Sequence, residues 1–146
     1  MNKFDIQSEE LLNAECYVID FLPKQVPENS EGQFFNVEYW FLNKRKEIYK
    51  DKFINIILKF MCYYHVEVFR GKWIDSPTPE FIEEEISSIM DNFSGDMNIL
   101  FPKENSMLTF SWDSLYLALY NPSEDMKYLA EQISFSEGMF FRKSPN

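Results

Sequence analysis

Tyr49, Phe53, Ile56, Ile57, Phe60, Met61 and Tyr64 recur at helical spacing, and Lys50, Asp51, Lys52, Asn55 and Lys59 fill much of the remaining surface. This pattern predicts a helix over 46–64 with a wide apolar face. The segments on either side follow a different period. Residues 16–22, CYVIDFL, form a short apolar run rich in aromatic and β-branched types, which predicts a buried strand. Residues 33–42, QFFNVEYWFL, place Phe35, Val37, Tyr39 and Phe41 in one phase of an alternation, and a second strand is expected there. HVEVFRGKWI, 65–74, alternates again and reads as one short strand that ends or bulges at Gly71. A change of period from two to 3.6 and back leaves few architectures open.

The next stretch, DSPTPEFIEEEISSIMDNFSGD, predicts a helix that starts at Thr78 and stops near Ser94 and Gly95. Thr78 supplies the N-cap and Pro79 occupies the first helical position, where a missing N–H costs nothing. Ile82, Ile86, Ile89, Met90 and Phe93 form one apolar stripe. Further on, 97–101, 107–112 and 115–120 read as a meander of strands, Ser123 caps a last helix, and MFFRK is a final strand. The expected fold is α+β: a single domain over 1–146, with a largely antiparallel sheet of five to six strands and two to three helices packed on it.

Charge narrows the function. The net charge is −10, and residues 73–100 hold seven acids and no Lys or Arg. A nucleic-acid partner is not expected, because such binders present a basic surface. The basic block NKRKEIYKDK reads as a solvated helix start rather than a phosphate site. The longest apolar region, 53–68, is too short and too interrupted for a membrane span, and MNKFDIQSEELLN lacks a secretory pattern. The cytoplasm is the expected address, with no membrane partner. Cys16 and Cys62 are expected as buried thiols, not as a disulfide.

Catalytic motifs are missing from the sequence. Four glycines offer no phosphate cradle, and there is no nucleophile elbow. His65 is the single histidine, so neither a zinc set with Cys62 and Cys16 nor a Cys62–His65 dyad is expected. No catalytic residue, metal or cofactor is assigned. The candidate partner-binding residues are Glu80, Glu83, Glu84 and Asp91 on the polar face of the 78–93 helix, with Trp73 and Trp112 as aromatic anchors.

Residues 112–144, WDSLYLALYNPSEDMKYLAEQISFSEGMFFRKS, hold a Trp-Asp turn, an LYLALYNPS strand end, a short helix and S-E-G-M-F-F at the final strand. This segment resembles the C-terminal part of small bacterial immunity proteins, which are encoded beside the toxins of interbacterial competition and neutralise them by binding. The resemblance implies a non-enzymatic inhibitor whose partner is a cognate toxin domain, possibly a basic nuclease. Two other classes stay open. One is an enzyme or small-ligand-binding protein with a pocket between helix and sheet. The other is an acidic adaptor for a different basic partner.

Overall fold

The computed structural model describes residues 2–145. In chain order the elements are α1 (Lys3–Leu11), β1 (Cys16–Asp20), α2 (Phe34–Lys44), α3 (Lys46–Met61), β2 (Glu67–Phe69), β3 (Trp73–Asp75), α4 (Pro79–Asn92), β4 (Asp96–Phe101), β5 (Ser106–Ser111), β6 (Tyr116–Tyr120), α5 (Glu124–Ser136) and β7 (Phe140–Lys143). The class is α+β, with more elements than the sequence pattern predicts. The sheet has seven strands, ordered β3-β2-β4-β5-β6-β1-β7, and every neighbouring pair is antiparallel. Among the described residues, five helices accompany it.

α3 crosses one face of the sheet, as its apolar stripe predicts. Phe53, Ile56, Ile57 and Phe60 are fully buried. The Phe53 ring lies 5.2 Å from Phe110, and Phe60 lies 5.8 Å from Phe101. α4 adds Ile82, Ile86, Ile89 and Met90 to the same core, and α5 adds Met126, Ala130 and Ile133. The Thr78 and Ser123 caps form as expected, each side-chain oxygen accepting a backbone N–H in the first turn. Phe93 leaves the stripe. It ends α4 in the left-handed conformation, half-exposed, with the Lys46 ammonium 5.4 Å from its ring.

The largest departure is 33–42, which is a helix and not a strand. Both edges of β1 are taken by the chain's C-terminal third, β6 on one side and β7 on the other. A strand at 33–42 has no edge of β1 left to join. As a helix the segment turns Phe34, Glu38, Phe41 and Leu42 inward, and Phe21 packs against both Phe34 and Phe41. α1 also falls outside the predicted elements. A capping box starts it: Asn2 Oδ1 accepts from the Phe4 N–H, and Asp5 Oδ2 accepts from the Asn2 N–H. Its Phe4 and Leu11 cover Leu100, Met107 and Trp73 on the opposite face of the sheet. The segment read as one strand at 65–74 is the β2–β3 hairpin, turned at Gly71 with φ 77°.

The basic block does start a helix, with Lys44 and Arg45 exposed, but the later lysines of the block are engaged by neighbouring elements rather than simply solvated. Lys46 and Lys50 reach Asp91 of α4 at 3.1 and 2.8 Å. Lys52 donates to the Glu137 carbonyl at 2.5 Å, and Lys59 pairs with the Glu137 carboxylate at 2.6 Å. These lysines therefore tie α3 to α4 and to the end of α5. Both cysteines are free, and only Cys16 is partly buried. Cys62 is exposed because it caps α3 just beyond its last buried turn. Among the described residues, no helix is long and apolar enough to cross a membrane.

Candidate functional site

The structure separates the six residues proposed from the sequence. Glu80, Glu83 and Glu84 lie exposed on the first half of α4, and no Lys or Arg pairs with them among the described residues. Asp91 sits at the far end of the same helix and is engaged by Lys50 and Lys46. Those bonds, the Lys50 one foremost, hold its carboxyl below the usual aspartate range. A carboxyl with a lowered folded pKa adds stability above its unfolded pKa and loses it as the pH falls through the folded value. Asp91→Asn should therefore be less stable than wild type near neutrality, and the gap should close below about pH 4. Urea midpoints from pH 2 to 7 for both proteins check this; a gap that stays constant to pH 2 would contradict it.

Trp73 is not a free anchor. Its Nε1 donates to Asp5 Oδ1 at 2.8 Å, and its ring packs 5.6 Å from Phe4 and 5.1 Å from Phe69. It holds α1 down on the sheet face opposite α4. Trp112 is partly exposed on the β5–β6 turn, where its backbone N–H donates to the Gly95 carbonyl just past α4. That end of α4 lies roughly 20 Å from Glu80, given 1.5 Å per helical residue. The acids and the two tryptophans do not form one patch.

A different surface carries the exposed aromatics. The outer side of α2 holds Phe35 at 80 % exposure, Tyr39 at 69 % and Trp40 at 52 %, with Val37 beside them. No residue of α2 is fully buried. Three large rings left in water on one helix make a clustered apolar patch, unlike scattered single exposures.

Beside this helix lies a trough of about 1070 Å³. Its floor is the sheet face opposite α3, where Cys16, Val18 and Asp20 of β1 stand directly across from Tyr120, Ala118 and Tyr116 of β6. Loop 21–33 and the start of α2 form its wall. Asp20 is buried there, accepting from Arg142 Nη2 at 2.5 Å and from the Phe21 N–H at 2.8 Å. Glu38 faces the trough from α2, and Asp113 faces it from the β5–β6 turn. Burial raises the Glu38 carboxyl, and the charges of Asp20 and Asp113 raise it further. Burial likewise raises the Tyr116 phenol, and the Asp113 charge raises it further. The trough is thus lined by four carboxylates, Asp20, Glu28, Glu38 and Asp113, and by the cations Lys24 and Arg142, next to an aromatic helix. Sequence reasoning missed it because its residues come from β1, α2, the β5–β6 turn and β7, brought together only by strand order.

Comparison with protein-family models, with curated proteins and with solved structures finds no significant match in any of the three.

Proposed function

We propose that this chain is a stoichiometric inhibitor of a basic protein toxin, an immunity-type protein that acts by occlusion in the cytoplasm and has no catalysis of its own. The observation that carries the reading is the outer face of α2, where Phe35, Tyr39 and Trp40 stand exposed beside the carboxylate-lined trough. Trp and Tyr are the residue types that dominate the energetics of protein interfaces, and surrounding charge sets the encounter rate and orientation. A net charge of −10 favours rapid capture of a cationic partner. The likeness of residues 112–144 to immunity proteins points the same way. The acidic half of α4, with Glu80, Glu83 and Glu84, then serves as a steering surface rather than the contact itself.

The test is co-expression with the toxin domain encoded beside this chain, followed by size-exclusion chromatography of the mixed proteins. Rescue of growth and a 1:1 complex are expected. Absence of both rescue and co-elution would refute the reading.

One observation favours a second reading. Arg142 Nε is buried on the trough floor without a hydrogen-bond partner. Buried donors are normally satisfied, so a small ligand carrying an acceptor would fit there. A small molecule that co-purifies and is lost on Arg142→Lys would support this alternative.

A further inference from the structure

His65, Glu67 and Asp75 meet because strand geometry gives them one face. Residues two apart on a strand point the same way, which aligns His65 with Glu67. Asp75 is the direct antiparallel partner of Glu67. His65 Nε2 lies 3.0 Å from Glu67 Oε2 and 3.2 Å from Asp75 Oδ1. One donor atom from each of the three residues lies within 4.8 Å of the other two.

Glu67 is only 5 % exposed, set between Asp75 on β3 and Leu100 on β4. Among the described residues no Lys or Arg reaches it; its one basic neighbour is the imidazole. The Glu67 and Asp75 carboxyls face each other within hydrogen-bonding reach, an arrangement that holds either a shared proton or a cation between them. The ring's other nitrogen, Nδ1, faces Ser76 Oγ at 3.3 Å. The same hydroxyl donates to Asp75 Oδ1 at 3.2 Å, so the far side of the ring is oriented by a hydrogen bond, as the ring of a metal-binding imidazole is.

We propose that His65, Glu67 and Asp75 bind one divalent transition-metal ion, zinc in preference to magnesium or calcium. An imidazole among the donors disfavours the hard, all-oxygen cations. Zinc–ligand bonds of about 2.0–2.2 Å place neighbouring donors of a tetrahedron about 3.3–3.6 Å apart. The donor pairs at 3.0 and 3.2 Å need to open by only a few tenths of an ångström. Asp75 is exposed, so a fourth position is open to water. The ion would clip β3, the three-residue strand at the sheet edge, to β2 and to the chain leaving α3. A count of thiols and imidazoles misses this site, since two of its three donors are carboxylates placed by hairpin register.

Calorimetric titration of zinc chloride into the chelator-stripped full chain at pH 7.5 tests the proposal, with Asp75→Asn, His65→Gln and Cys62→Ser in parallel. One zinc per chain is expected for wild type and for Cys62→Ser, with affinity at least about tenfold weaker for each of the other two. Asp75 is exposed, so its variant should keep the fold, and circular dichroism checks that. Wild type without stoichiometric zinc would overturn the proposal. So would Asp75→Asn binding as tightly as wild type, or zinc binding that is lost with Cys62.

Discussion

Truncating Phe53 to alanine is expected to cost about 3–5 kcal/mol of folding stability, the range for a large aromatic removed from a packed core. Phe53 has no solvent exposure and sits where α3 meets the sheet. Its ring lies 5.2 Å from Phe110 and 6.5 Å from Tyr49, so the cavity would be lined by groups anchored on two different elements. Neither a strand nor a helix closes such a gap easily. Phe35→Ala removes the same side chain from a site that is 80 % exposed, and should change stability by no more than about 0.5 kcal/mol. Urea denaturation of the two variants beside wild type checks both numbers. Equal losses would mean that Phe35 is packed, and the argument for α2 as an open surface would fail with it.

The same contrast explains what was legible in the sequence. α3 and α4 were readable because polar residues separate their apolar positions cleanly, as at Ile82, Ile86 and Ile89. The strands from β4 to β6 were readable because Asn-Ser, Asp-Ser and Asn-Pro pairs mark their ends. α2 was not. In FFNVEYWFL seven of the nine positions are apolar, so a period of two and a period of 3.6 fit about equally well. Its aromatic and β-branched content then tipped the reading towards strand, a preference that tertiary context overrides. What excluded the strand lies about 80–100 residues away, in the pairing of β1 with β6 and β7. The site residues follow the same division. Exposure of Glu80, Glu83 and Glu84 follows from helical spacing alone. Asp91 shares their face but is held by Lys46 and Lys50, and Trp73 is held by Asp5. Neither long-range pairing leaves a mark on local periodicity.

If the chain binds the proposed basic partner, replacing Tyr39 and Trp40 together by alanine is expected to weaken that binding by roughly a thousandfold, without loss of fold. Interface aromatics of this kind contribute about 2 kcal/mol or more each, and 4 kcal/mol corresponds to about three orders of magnitude in Kd. The fold should survive because α2 is held by its other side, through Phe34 and Phe41 against Phe21. Reversal of Glu80, Glu83 and Glu84 to Lys should act differently. Those carboxylates are exposed and unpaired, and the stripe of Ile82, Ile86 and Ile89 beneath them is untouched. The reversal should slow association by about tenfold at low salt, leave dissociation unchanged, and lose most of its effect as screening shortens the range of the field. Association and dissociation rates at two ionic strengths separate the two surfaces. A large dissociation effect from the glutamates, with none from Tyr39 and Trp40, would move the contact from α2 to α4. Wild-type kinetics in both variants would leave α2 without a role in binding and α4 as a solvated face.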